Sequence, residues 1–155
     1  MRVLFVDDAC AVVHAFTAKL KAMGHEVVAA ANGAEALERF REISPDLVFM
    51  DIAMPVMDGF ETVRHIRAFE ATRQWAWTPV IFLTATDTAE NLVASIHAGG
   101  DAFIAKSAPT EVLEAYMMAM ARIAALRAEL SRANRKLANL ANLDGLTGLF
   151  NRRYM

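Results

Sequence analysis

A doubly wound α/β fold, with five parallel strands and an extended C-terminal helix, is predicted by three features of the 155-residue sequence. Short, continuous apolar runs such as Val3-Leu4-Phe5-Val6 and Leu47-Val48-Phe49-Met50 alternate with amphipathic stretches. Two of those runs end directly in acid, at Asp7-Asp8 and at Asp51. From Pro109 onward, helix formers continue without Gly or Pro to about Leu143.

Each element follows from local pattern. Arg2 to Val6 reads as extended, Ala9 to Met23 as an amphipathic helix stopped by Gly24, and Glu26 to Ala30 as extended again. A helix from Gly33 to about Arg41 precedes the strand Asp46 to Met50, and a helix from Gly59 to about Phe69 precedes the strand Pro79 to Leu83. Asp87 to His97 reads as helix, Gly99-Gly100 as a turn, and Asp101 to Ala105 as the fifth strand. Strands alternating with crossover helices give a flavodoxin-like doubly wound sheet.

Composition bounds the function. The chain is 55% apolar but interrupted by charge throughout, and no apolar stretch reaches the ~18 residues of a membrane span. A soluble, cytoplasmic protein is expected, and the formal charge of -2 favours no nucleic acid or membrane partner. The single cysteine, Cys10, excludes an internal disulfide and reads as a small packing residue beside Asp7 and Asp8. His14, His25, His65 and His97 share no ligand spacing. Trp75 and Trp77 read as cover for the edge of the core, with a partner surface as the alternative.

In an open parallel sheet, ligands bind outside the carboxyl ends of the strands where strand order reverses. Asp7, Asp8 and Asp51 converge there. Packed carboxylates repel, so either their pKa values rise or a hard divalent cation holds them together. Magnesium suits a few carboxylates, waters and a phosphate, and a magnesium-dependent phosphoryl site is therefore expected.

The last helix carries a second pattern. Tyr116, Ala119, Ile123, Leu126, Leu130, Ala133, Leu137 and Leu140 follow alternating three- and four-residue steps, the seam of a coiled coil. A long helix folded back on its own domain remains the alternative. Arg122, Arg127, Arg132, Arg135 and Lys136 read as its solvated face.

Over about Met1 to Ala121 these residues resemble the receiver domain of two-component response regulators. The resemblance implies that Asp51, followed by Met54-Pro55 and Asp58-Gly59, is the phosphoacceptor. It implies magnesium held by Asp7, Asp8, Asp51 and the Ala53 carbonyl, with Thr84 binding a phosphoryl oxygen and Lys106 pairing with the phosphorylated carboxylate. Thr84 and Phe103 match the switch positions, and Ala53 and Thr86 the positions that tune loss of the phosphoryl group. One departure is visible: the proline that commonly follows the strand lysine is delayed, in Lys106-Ser107-Ala108-Pro109. Taken singly, Asp8 could be a helix cap, Asp51 a turn opener, Thr84 a strand residue and Lys106 a surface charge.

Asp144-Gly145-Leu146-Thr147-Gly148-Leu149-Phe150-Asn151-Arg152-Arg153 resembles the opening of GGDEF diguanylate cyclase domains, without their GTP-binding loop. The implied organisation is a receiver over 1-121, a coiled-coil linker helix over 122-143 and a truncated GGDEF start over 144-155. The implied function is phosphorylation of Asp51 by a sensor histidine kinase or phosphotransfer protein, switching a homodimer that controls a cyclase and hence cyclic di-GMP. The fragment itself is expected not to be an enzyme. That dimer would form through the last helix and the face made by the fourth helix, fifth strand and fifth helix, and two-fold symmetry would set both outputs at one end. Two alternatives stand: an unphosphorylated dimerisation module, and a haloacid-dehalogenase-type phosphatase, which wants Asp-x-Asp where this chain has adjacent acids.

Overall fold

The computed structural model describes residues 1–73, 77–85 and 88–145. Its strands are β1 (Arg2–Val6), β2 (Glu26–Ala30), β3 (Leu47–Asp51), β4 (Val80–Thr84) and β5 (Ala102–Ala105). Its helices are α1 (Cys10–Ala22), α2 (Gly33–Ile43), α3 (Gly59–Ala71), α4 (Ala89–Ala98) and α5 (Thr110–Gly145). All the strands pair in parallel, in the order β2-β1-β3-β4-β5. The chain steps one way from β1 to β2 and then returns past β1 to β3, so order reverses between β1 and β3.

Period-two alternation divides the strand residues between two cores. Val3, Phe5, Leu47, Phe49, Ile81 and Leu83 face α1 and the start of α5, packing on Phe16, Leu20, Leu113, Met117 and Met120. Leu4, Val6, Val48, Met50, Val80 and Phe82 face α2, α3 and α4, packing on Phe40, Val63, Ile66 and Ala98. Every residue of β3 and β4 is buried, which is why both read as unbroken apolar runs. The chain divides after Met120 into two compact units, the sheet and its helices forming the first.

Two strands run further than their apolar pattern. β3 includes Asp51 and β4 includes Thr84, because the backbone ladder continues through Asp51↔Leu83 and Thr84↔Ala105 whatever the side chain. Helix starts follow side-chain caps: Asn32 accepts from Glu35 N–H, Asp58 from Glu61 N–H, and Thr88 from Asn91 N–H. Thr88 therefore sets the start of α4 two residues later than the predicted Asp87. Cys10 is not a packing residue; it is exposed in the first turn of α1.

At the amino end of β4, Arg67 is nearly buried and donates to Glu70, to the Thr78 and Gly99 carbonyls and to Asp101. Trp77 lies 3.6 Å above its guanidinium and donates its indole N–H to Asp101, so it caps this cluster. Trp75 lies outside the described residues. The network joins α3, the approach to β4 and the turn before β5, at the end of the sheet away from Asp51.

The loop after β3 carries local strain. Met57 N–H donates to the Pro55 carbonyl at 2.8 Å, closing a γ-turn around Val56, which has φ +72° and is 84% exposed. A β-branched side chain at positive φ is unfavourable, and here no burial compensates it. Val56→Gly should raise stability by about 1 kcal/mol in urea denaturation; an unchanged or lower stability would show that the turn is unstrained.

Candidate functional site

The reversal between β1 and β3 sets Asp7 and Asp8 just beyond one strand and Asp51 at the end of its neighbour. Ligand oxygens from all three carboxylates lie within 4.8 Å of one another, the one such grouping of acid, His or Cys side chains among the described residues. Asp7 and Asp51 are buried and Asp8 is exposed. Lys106, one residue past β5, extends between the buried pair, its Nζ 2.8 Å from Asp7 Oδ2 and 3.1 Å from Asp51 Oδ1. A cavity of ≈ 250 Å³ opens beside them, lined by Asp8, Asp51, Ala53, Thr84, Asn91 and Lys106 among others.

Local structure removes the simpler readings of several residues. Asp8 caps nothing: the N-cap of α1 is Ala9, without a side-chain bond. Asp7 instead accepts from Ala9 N–H through Oδ1, which fixes its carboxylate and leaves Oδ2 toward Lys106. Asp51 does not open a turn, since it is the last ladder residue of β3. Gly59 packs so close to the Asp51 carbonyl that a Cβ would collide with it, while Gly59 N–H donates to the Ile52 carbonyl at 2.8 Å. Backbone packing thus pins the strand end that carries the acid.

The charges are strongly coupled. Burial, with added repulsion from Asp7 and Asp8, lifts the Asp51 carboxyl from its ordinary 3.8 to about 6, against the pull of Lys106. Burial alone would lower the Lys106 ammonium, but its contacts with Asp7 and Asp51 outweigh that and raise it. The cluster therefore holds more negative charge than one lysine neutralises. Hard oxygen donors this close, with charge to spare, fit a magnesium ion held by Asp7, Asp8 and Asp51.

Phe103 is half-buried on β5, packed at the margin of the α2–α3–α4 core, in register with Phe82. Thr86 and the stretch Leu146 to Arg153 lie outside the described residues, as does the side chain of Asp144. All described peptide bonds, including that before Pro109, are trans. Asn91 is a cavity residue that sequence reasoning missed. Its signal is its place in the first turn of the helix that follows Thr84, a turn aimed at the carboxyl ends of the strands. A larger apolar groove between α1 and β2 shares Asp7 and Asp8 but lacks Asp51, Thr84 and Lys106.

Comparison with known proteins points the same way. The family described as response regulator receiver domain matches residues 3–117. The transcriptional regulatory protein AfsQ1 of Streptomyces coelicolor is 34% identical over 119 residues, covering 77% of this chain and 50% of the relative. The transcriptional regulatory protein PrrA of Mycobacterium tuberculosis is 36% identical over 121 residues, with 78% and 50% covered. The chain thus spans about half the length of the curated relatives it matches. Among solved structures, the BeF3-activated N-terminal receiver domain of Klebsiella pneumoniae RstA superposes with TM-score 0.70 at 31% identity, covering 77% of this chain and 97% of that one. The Vibrio cholerae chemotaxis protein CheY4 gives TM-score 0.69 at 30% identity, with the same coverage.

The raised Asp51 pKa has a sign for stability. Folding raises the proton affinity of Asp51, so the metal-free fold loses stability as pH rises from about 4 through about 6. Asp51→Asn removes that penalty, and with chelator present it should be more stable than wild type at pH 7 by on the order of 2 kcal/mol. The two should converge near pH 4 in urea titrations. A variant less stable than wild type at pH 7 would contradict the electrostatic picture.

Proposed function

We propose, from the premise that this chain belongs to the response regulator receiver domain family, that Asp51 accepts a phosphoryl group and that the resulting change is passed to a C-terminal output. Receiver domains of two-component systems are phosphoacceptors, bind Mg²⁺ at an acidic site and receive the group from histidine kinases or phosphotransfer proteins. The observation that carries the reading is Lys106 bridging Asp7 and Asp51 at the one point where strand order reverses. Membership of the family replaces the phosphatase alternative.

In the proposed reaction an Asp51 carboxylate oxygen attacks phosphorus in line, the bond from phosphorus to the donor imidazole nitrogen breaks, and that nitrogen keeps the electron pair and takes up a proton. With a pKa near 6, Asp51 is mostly ionised at neutral pH and is available as nucleophile. Lys106 needs only to stay with Asp51 to neutralise charge gathering on the phosphoryl oxygens. Magnesium, when bound, supplies the remaining positive charge. Ala53 is small and borders the cavity, so water reaches the acyl phosphate without obstruction from that side.

The acyl phosphate adds nearly two negative charges and three strong acceptors. In this reading Thr84, buried at the end of β4 beside the cavity, turns toward them, and Phe103, half-buried on β5, fills the space it leaves. The face of α4, β5 and α5 then changes shape. We assign 1-121 to the receiver, 122-143 to a coiled-coil linker and 144-155 to the start of a GGDEF domain. Phosphorylation would then alter a homodimer and so control diguanylate cyclase activity and cyclic di-GMP. The opening Asp144-Gly145-Leu146-Thr147 and Asn151-Arg152-Arg153 support this output. The relatives named as transcriptional regulators share only the receiver half and so bear on input alone.

The test is an NMR titration with Mg²⁺ and beryllofluoride. Saturable shifts near Thr84 and Phe103 are expected in wild type and should vanish in Asp51→Asn. No saturable response in wild type, or the same response in the variant, would leave an unphosphorylated dimerisation module in its place. Sedimentation with and without the mimic should show a dimer, and a monomer in both states would remove the dimer from the proposal.

A further inference from the structure

The exposed seam of α5 has a preferred direction for self-pairing, and it is not the parallel one. Within the second unit, Ile123 (41%), Leu126 (64%), Leu130 (56%), Leu137 (64%) and Leu140 (51%) are all exposed along one stripe. Their spacing assigns Ile123, Leu130 and Leu137 to heptad a positions and Leu126, Ala133 and Leu140 to d positions. Arg122, Glu129 and Lys136 then fall at g, and Arg127 and Asn134 at e. An apolar stripe this long in water calls for a partner, and a heptad seam fits a second copy of itself.

The flanking charges separate the two orientations. In a parallel pair each g residue faces the e residue five positions on in the other helix, which sets Arg122 against Arg127 of the second copy, twice by symmetry. Glu129 then meets only Asn134, and Lys136 meets Ala141. In an antiparallel pair a faces d, and the register that layers Ile123 on Leu140, Leu126 on Leu137 and Leu130 on Ala133 uses all six seam positions. There g faces g, so Glu129 meets Lys136 of the second copy, again twice, and Arg127 meets Asn134 in place of another arginine. Sliding one heptad toward the sheet would oppose Glu129 to Glu129 and Arg122 to Lys136, so the charges select register as well as direction.

Side-chain volume agrees. Ala133 borders a concave patch lined by Leu126, Glu129 and Leu130. A parallel pair would stack Ala133 on Ala133 and leave a gap in the seam, whereas the antiparallel pair sets Leu130 across from it.

We propose that the unphosphorylated chain pairs with a second copy through an antiparallel coiled coil of α5 in which Glu129 faces Lys136. This rests on the reading of 122-143 as a dimer linker and deepens it. Antiparallel helices carry whatever follows residue 143 to opposite ends of the pair, so this arrangement would keep two output segments apart. A phosphorylation-driven change of pairing would bring them together.

Disulfide mapping on the full chain tests the direction. In a Cys10→Ser background, Leu126→Cys with Leu137→Cys should give a tryptic peptide linking residue 126 to residue 137. Those positions are about 16 Å apart along one helix, so the link can form only between copies. Links of 126 to 126 and 137 to 137, or a dimer lacking the 126 to 137 link, would overturn the orientation and keep the dimer. A monomeric mass by sedimentation would overturn both. Surface variants give a second reading that leaves the seam intact: Glu129→Lys should weaken dimerisation about tenfold and Arg127→Glu should change it less than about threefold. Clear strengthening by Arg127→Glu would instead identify the parallel pair.

Discussion

Repulsion among Asp7, Asp8 and Asp51 is the constraint around which the rest of this structure is arranged. Parallel strands whose order reverses between β1 and β3 bring these acids together whether or not a ligand is present, and Lys106 is the counter-charge that lets two of them remain buried. Burial, with repulsion from Asp7 and Asp8 that one ammonium does not cancel, is why Asp51 holds its proton to about pH 6. A divalent cation beside the acids would supply the positive charge that the cluster lacks.

Such a site works only if its acids cannot relax apart. Asp51 is held by the ladder of β3 and by the close approach of Gly59, and Asp7 by the bond it accepts from Ala9 N–H. At the other end of the sheet the buried Arg67 cluster ties α3, the approach to β4 and the turn before β5. A buried network of this kind contributes little net stability but is costly to break, so it acts mainly to fix where those elements sit. The loop that follows Asp51 carries Val56 at positive φ, a strained conformation for a β-branched residue.

The fold was legible because its signals are local and repeated. Continuous apolar runs marked β3 and β4 as buried on both faces, and turn residues at Gly24 and Gly99-Gly100 marked the stops. Boundaries moved where ladder or cap decided them: Asp51 and Thr84 joined their strands because hydrogen bonding ignores side-chain polarity, and Thr88 took over as the cap of α4. Asn91 could not be found from pattern alone, since only the direction of a helix start brings it to the cavity. The exposure of Cys10 was misread for a related reason: a residue beside a buried acid need not be buried when a helix begins there.

The amino-acid order by itself determined the strand and helix succession, the acids at two strand ends and the heptad stripe with its flanking charges, because each depends on spacing along the chain. What only the tertiary structure decided was which groups meet. Lys106 reaches Asp7 as well as Asp51, Asp8 is spared from capping α1, and Trp77 closes over Arg67, because sheet order and backbone packing bring together residues that lie far apart in the chain. Spacing encodes periodicity, whereas contacts across β1, β3 and β5 depend on the order in which strands are laid side by side, and that is a property of the folded chain as a whole.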